Sequence, residues 1–140
     1  MPRRVINGVA LVDAVAARTG YTFADAGRLE AALTHASARR GANTDYQRLE
    51  FLGDRVLGLV VAEMLFDAFP DAVEGELSLR LNALVNAETL AAVADEIALG
   101  ELILAGAEVR KLAPRKRVNV HADIMEALIA AIYLDGGLDA

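Results

Sequence analysis

A long predicted helix at residues 45–68 carries two carboxylates on a side that continues as hydrophobic packing. Glu50 and Asp54 are four residues apart and therefore share one helix face. The same line continues with three apolar residues, Leu57, Val61 and Leu65. Partly buried like charges are costly unless a cation or a shared proton neutralises them. The helix must therefore belong to a fold that supplies such a partner.

The rest of the sequence predicts an all-α protein. Alanine and leucine are frequent, three prolines occur, and alternating runs of β-branched residues are scarce. Asp25 and Asn86 can cap helix N-termini, and Gly20 follows the first helix where a C-cap glycine belongs. The predicted helices cover about residues 6–18, 25–33, 45–68, 74–85, 86–97 and 119–134, with a short apolar element at residues 101–109.

The helix at residues 45–68 also shows a stripe that is predicted to face the core. Its members are Leu49, Leu52, Val56, Val60 and Met64. Gly53 interrupts this helix, where glycine costs up to about 1 kcal/mol relative to alanine. Such a glycine indicates close approach of another part of a protein. Either a second helix of the chain or a partner subunit approaches here, and the sequence leaves both open.

Length and composition limit the class of protein. With 140 residues, 55% of them hydrophobic, we expect residues 1–140 to form one domain. The lack of cysteine excludes disulfides and thiolate metal sites, and no apolar run reaches the length of a membrane span. The net charge of −6 argues against nucleic-acid binding, but bound metal ions would neutralise several of the acids.

A second acidic pair, Asp123 and Glu126, stands at i, i+3 spacing in the last predicted helix. If the two helices lie side by side, four carboxylates converge. Oxygen ligands without histidine or cysteine are typical of Mg²⁺ or Mn²⁺ sites, which often serve phosphoryl chemistry. A solvated helix face is the alternative, and the spacing alone favours neither.

Several motifs together resemble the ribonuclease III family of double-strand-specific endoribonucleases. Residues 48–54, which read RLEFLGD, are similar to the signature of that family. The other similar segments follow in the same order over nearly the whole chain: Tyr21-Thr22-Phe23, Leu33-Thr34-His35-Ala36-Ser37, Phe69-Pro70 with Glu74, Gly75 and Ser78, and residues 122–129.

The resemblance implies an all-α ribonuclease III endonuclease-domain fold and a helical homodimer that cleaves double-stranded RNA. Cleavage in this family is a Mg²⁺-dependent attack by water, with Mn²⁺ as a substitute, and leaves 5′-phosphates and short 3′ overhangs. The implied metal ligands are Glu50, Asp54, Asp123 and Glu126, of which Asp54 and Glu126 are also implied in catalysis. Phe51 and Gly53 are implied at the dimer interface. The implied role is RNA processing in the cytoplasm, without a small-molecule cofactor or a membrane.

Basic residues stand near both acidic pairs in the sequence. A basic loop is predicted at residues 110–117, before the last helix, and a polar loop with two arginines precedes the helix at residues 45–68. Duplex RNA is bound mostly through phosphates, 2′-hydroxyls and shape. The residues expected near RNA are Arg39, Arg40, Gln47, Glu74, Arg115, Lys116 and Arg117. A solvated turn is the alternative for each loop.

Three residues depart from the family pattern. Gln47 stands in place of a common glutamate, Arg55 in place of a small residue, and His121 in place of an apolar one. Arg55 is suited to phosphate contact or to a surface ion pair, and His121 is expected to pack partly exposed. The retained acids favour an enzyme over the alternative, a catalytically silent RNA-binding or scaffold module. Bacterial members usually carry a double-stranded-RNA-binding domain after this one, so we expect a nuclease domain truncated at its C-terminus, with a compact member that lacks that domain as the alternative.

Overall fold

The structure, a computed structural model, describes residues 8–35, 45–103 and 111–140. Its elements in chain order are α1 (Gly8–Thr19), α2 (Ala26–Leu33), α3 (Asp45–Ala68), α4 (Glu74–Val85), α5 (Ala87–Glu96), a 3-10 turn (Leu99–Glu101) and α6 (Pro114–Gly136). The predicted all-α fold class is therefore confirmed. No helix within these three ranges combines the length and hydropathy needed to cross a membrane.

The helix ends follow the capping residues that the sequence predicted. The Asp25 side chain accepts hydrogen bonds from two backbone N–H groups at the start of α2. The Asn86 side chain accepts one at the start of α5. Gly20 and Gly137 follow α1 and α6 with φ angles of 80° and 83°, where a side chain would be strained. Local sequence therefore sets the lengths of these helices.

Helix α6 lies at the centre of the described fold. It packs against α2, α3 and α5 and buries eight of its residues, half of which are alanines that let neighbouring helices approach. The largest wholly buried side chains are Leu29, Leu33, Leu99, Ile124, Leu128 and Val15. Each such side chain contributes about 1.5–3 kcal/mol through burial, so the core fixes where α6 lies.

The predicted core stripe of α3 is correct only in its first half. Leu49 is buried, but Met64 is 64% exposed, and the only buried side chain among residues 57–68 is Leu65. Leu65 belongs to the line that starts at Glu50 and Asp54. The assignment of Met64 to the core was wrong because, in this part of α3, the side chain that packs inside the chain is Leu65, on the neighbouring line.

The segment at residues 110–117 is not a loop throughout. Helix α6 begins at Pro114, five residues before the predicted start, so Arg115, Lys116 and Arg117 form its exposed first turn. Proline is well suited to the first helical position because its φ is already helical and no hydrogen bond of its nitrogen is lost. The prediction assigned all of residues 110–117 to a loop and so placed the start of the helix too late. Arg110 and the residues 104–109 lie outside the described ranges.

A hydrogen-bonded clamp ties the end of α6 to the connection between α1 and α2. The Asp135 carboxylate accepts hydrogen bonds from the Tyr21 hydroxyl at 2.6 Å, from the Ala24 N–H at 2.8 Å and from the Asp25 N–H at 3.0 Å. The bond with Tyr21 is the main cause that lowers the pKa of Asp135. This clamp holds the connection between α1 and α2 against the end of α6.

Candidate metal centre

Three carboxylates from two helices converge on one point. Glu50 of α3 and Asp123 and Glu126 of α6 each offer an oxygen, and these oxygens all lie within 4.8 Å of one another. All three side chains are partly buried. The structure therefore brings together the two acidic pairs that the sequence placed on separate helices.

Gly53 sets the distance between the two helices at this point. It is buried, and a Cβ built on it would overlap the backbone carbonyl group of Glu126. Glu126 therefore approaches the backbone of α3 as closely as a glycine allows, one turn from Glu50. Of the two interpretations of Gly53, the structure favours close packing of two helices within the chain.

The carboxyl groups of Glu50 and Asp123 lie close enough to form a hydrogen bond with each other. Burial, followed by the charge of Asp123 and a hydrogen bond with it, raises the pKa of Glu50 to about 7. Burial also raises the pKa of Asp123, against the lowering effects of the Glu50 hydrogen bond and of His35. The hydrogen bond favours the proton on Glu50 and the charge on Asp123.

The pKa of Glu126 is raised as well. Burial, followed by the charges of Asp54, Asp123 and Glu50, raises the pKa of Glu126 from 4.5 to about 7. Because folding raises this pKa, the carboxyl does not lower the free energy of unfolding below about pH 4.5, where it is protonated in both states. Between about pH 4.5 and pH 7 its ionisation destabilises the metal-free fold progressively. Once solvent screening is allowed for, the cost is about 1–2 kcal/mol. A bound divalent cation would remove this cost.

Asp54 lies at the rim of the site. Its carboxylate is 3.1 Å from the Arg55 guanidinium, and the two side chains are 52% and 59% exposed. Asp54 is outside the group of three converging oxygens, yet its charge acts on both Glu50 and Glu126. An open cleft of about 440 Å³ is lined by Gln47, Glu50, Phe51, Asp54, Arg55 and Glu126. All four predicted acids therefore face one small region, three of them within ligand distance of a shared point.

The other predicted site residues are more dispersed. Gln47 lines the cleft, whereas Glu74 lies exposed at the start of α4 and is not among the described lining residues. Arg39 and Arg40 lie outside the described residues. His121 is 23% exposed, lies 3.4 Å from Asp95 and belongs to no metal-binding group within the described ranges. The expectation that His121 packs partly exposed is confirmed.

Sequence reasoning missed His35 as a neighbour of the site. Its charge lowers the pKa of Asp123, and its ring packs edge-on against Tyr46 at 5.5 Å between centroids. His35 was noted only as part of a family motif. His35 could have been identified from its position, because it follows the buried end of α2 by two residues and α2 packs on α6.

The donor set fits a hard divalent cation. All three converging groups are carboxylates, and Mg²⁺ and Mn²⁺ prefer oxygen ligands. Burial, followed by the charges of the neighbouring acids, raises the pKa values of Glu50 and Glu126, and a bound cation would oppose both effects. The chemistry of the site therefore supports a metal centre over a solvated helix face.

A family model described as Ribonuclease-III-like matches residues 25–140. The chain belongs to the ribonuclease-III-like family. Ribonuclease 3 of Mesorhizobium japonicum is 70% identical over 125 residues, which make up 88% of this chain and 56% of that protein. Ribonuclease 3 of Brucella canis is 64% identical over 123 residues, 88% of this chain and 50% of that protein. This ribonuclease-III-like chain thus spans about half the length of the curated relatives it matches.

Solved structures support the same assignment. The nuclease domain of ribonuclease III from Campylobacter jejuni is 38% identical and superposes with a TM-score of 0.83, over 91% of this chain and 88% of that one. That structure is described as having a flexible region involved in dimer formation. A Dicer from Pichia stipitis is 30% identical with a TM-score of 0.63, over 83% of this ribonuclease-III-like chain and 48% of the Dicer. The predicted family and nuclease-domain fold are confirmed.

Proposed function

We propose that this chain is the nuclease domain of a double-strand-specific endoribonuclease that hydrolyses RNA phosphodiester bonds with a divalent cation. The observation that carries the proposal is the convergence of Glu50, Asp123 and Glu126 in a chain of the ribonuclease-III-like family. A catalytically silent RNA-binding module, the alternative, has no need of partly buried acids that destabilise the metal-free protein. The retained cluster therefore supports an enzyme.

In this proposal, Glu50, Asp123 and Glu126 hold Mg²⁺ or Mn²⁺, with Asp54 as a fourth acid at the rim. The chemistry that such an ion supplies is Lewis-acid polarisation of a phosphoryl oxygen and neutralisation of developing charge. Asp54 and Glu126, which line the open cleft together with Glu50, are the acids proposed to orient the attacking water. Hydrolysis would leave a 5′-phosphate and, from two offset cuts, short 3′ overhangs.

The first turn of α6 is proposed as an RNA phosphate contact. Arg115, Lys116 and Arg117 are exposed there, although cations at a helix N-terminus are each unfavourable by about 0.3–1 kcal/mol. The positive end of the helix dipole lies at the same place and favours anions. Arg117 precedes Asp123 by six positions, about 9 Å along the helix axis. The cations therefore stand within a few nucleotides of the proposed metal site.

Cleavage of a labelled RNA duplex at low salt tests the proposed function. We expect Mg²⁺ to support cleavage of the duplex, EDTA to abolish it, and a single strand of the same sequence to stay intact. Salt should inhibit steeply because phosphate contacts release counterions. If a folded sample leaves the duplex intact with Mg²⁺ and with Mn²⁺, the chain is not an active nuclease by itself.

A homodimer is proposed from an exposed aromatic residue beside an open groove. Phe51 is 62% exposed, so its ring is available to a partner. It lines a groove of about 1010 Å³, together with residues of α2, the start of α3 and Leu134 of α6. A second copy of the chain would present the same Phe51 to the same groove, as a two-fold interface requires.

Phe51→Ala is expected to weaken dimerisation by about 3–5 kcal/mol if the ring fills the partner's groove. Sedimentation equilibrium over a range of concentrations measures the association constant. Phe66→Ala is the matched control because Phe66, also on α3, is 69% exposed but is not among the residues that line this groove. Equal association constants for the two variants would refute the role of Phe51.

A further inference from the structure

Arg55 is held at the mouth of the carboxylate cleft by three contacts. Its Nη1 donates hydrogen bonds to the Asp54 carboxylate at 3.1 Å and to the Phe51 carbonyl at 3.3 Å. The centre of its guanidinium lies 3.9 Å from the centroid of the Phe51 ring. An arginine that is stacked and bonded in this way loses less side-chain entropy when it binds a further group. The position of its charge is therefore set before any ligand arrives.

The contacts of Arg55 with described residues leave three of its five donors open. A guanidinium carries five N–H donors, and both hydrogen bonds that Arg55 makes to described residues use Nη1. The edge formed by Nε and Nη2 makes none within the described part of the chain, and the side chain is 59% exposed. This edge presents two parallel N–H groups, which match two oxygens of a phosphate.

The ion pair with Asp54 does not account for the placement of Arg55. Exposed pairs of this kind contribute about 0–1 kcal/mol, and Asp54 is itself proposed to share a cation. Arg55 is the one cation among the described residues that line the cleft, which also holds Glu50, Asp54 and Glu126. A phosphate entering so acidic a cleft meets repulsion, and Arg55 is placed to offset it.

We propose that Arg55 binds a phosphate group of the RNA strand at the mouth of the carboxylate cleft and so positions the strand for cleavage. This inference rests on the proposed function. It assigns a substrate-binding role to a position where the family pattern has a small residue. The role is positioning, since the contacts of Arg55 place it at the rim of the cleft beside the three converging oxygens.

Helix α4 supplies a matched control in Arg80. Its guanidinium lies 3.8 Å from the centroid of the Phe69 ring and 3.0 Å from the Glu76 carboxylate. The stacking and the ion pair therefore reproduce those of Arg55, but Arg80 is not among the residues that line the cleft. Any effect that comes from losing a stacked surface ion pair should appear equally in both variants.

The test compares Arg55→Gln and Arg80→Gln in steady-state cleavage of a short RNA duplex with Mg²⁺. We expect Arg55→Gln to raise KM about tenfold, the effect of losing one charge-assisted hydrogen bond, with kcat within about twofold. Arg80→Gln should leave both constants unchanged. Arg55→Lys should have a KM between those of the parent and Arg55→Gln, because lysine keeps the charge but lacks the parallel pair of donors.

Binding supplies a second readout that a structural role would not move. In a Glu126→Gln background with Mg²⁺, fluorescence anisotropy of labelled duplex is followed over a range of salt concentrations. Arg55→Gln should lower the slope of log Kd against log salt by about 1, as expected for one lost phosphate contact. Arg80→Gln should keep the slope of the parent.

Two results would overturn the inference while leaving the proposed function intact. One is equal KM values and salt slopes for Arg55→Gln and Arg80→Gln in a protein that cleaves duplex RNA. The other is a rise in KM that sedimentation traces to a weakened dimer, since Arg55 also covers Phe51. If the parent cleaves no duplex at all, the proposed function fails first and the role of Arg55 falls with it.

Discussion

Gly53→Ala should destabilise the protein by about 3 kcal/mol or more, since it forces two backbones apart. The added Cβ would overlap the carbonyl carbon and oxygen of Glu126. These are backbone atoms in the middle of α6, so no side-chain rotation relieves the overlap. Relief requires α6 to move away from α3, and that movement would also separate Glu50 from Asp123 and Glu126. Loss of stability and loss of metal affinity should therefore appear together.

Urea denaturation gives the free energy of unfolding, and calorimetric titration with Mn²⁺ gives the metal affinity. Gly58→Ala is the matched control, because Gly58 lies in the same helix with nothing within 4 Å of an added Cβ. This control should be neutral or more stable by up to about 1 kcal/mol, the difference in helix propensity between glycine and alanine. Equal stabilities for the two variants would mean that α3 and α6 are not in backbone contact at Gly53.

Glu126→Gln should lower the rate of duplex cleavage by about 10²–10⁴-fold, the usual effect of losing a group that handles a proton or positions water. Gln keeps the size of Glu126 and removes its charge, so the fold and the dimer should remain. Single-turnover cleavage with Mg²⁺ measures the effect on rate. Glu63→Gln on the exposed side of α3 is the control and should cleave at the parent rate.

The same variant should gain stability when metal is absent. In EDTA at pH 8, Glu126→Gln should be more stable than the parent by about 1–2 kcal/mol, because the raised pKa of Glu126 marks an unfavourable charge. The difference should shrink as the pH falls from about 7 towards 4.5, where the parent carboxyl binds a proton. A variant that lost both activity and stability at pH 8 would show that Glu126 has a structural role instead.

Much of the fold follows from local patterns. The bounds of α3 and α4 and the caps at Asp25 and Asn86 were predictable because each depends on residues within one or two helical turns. The two acidic pairs were predictable for the same reason. Their meeting in one site was an expectation that depended on α3 and α6 packing together, and no local spacing fixes such a contact.

The features that were missed depend on contacts between distant parts of the chain. The sequence allowed either a helix or a partner subunit near Gly53, and only the packed structure shows Glu126 there. Met64 has the right spacing for the core, but the interior of this chain does not extend to it. The proximity of His35 to Asp123 and the orientation of Arg55 over Phe51 depend on tertiary structure in the same way.

Because the carboxylate cluster needs α6, it can form only late in the synthesis of the chain. Glu50 and Glu126 are 76 positions apart in the sequence, and the Tyr21–Asp135 clamp joins residues still further apart. Contacts over such distances require closure of a long loop, which delays them in folding. A ribosome releases the acids of α3 long before those of α6. A partly synthesised chain therefore carries half of the acids, and the carboxylate cluster cannot form until the last helix docks.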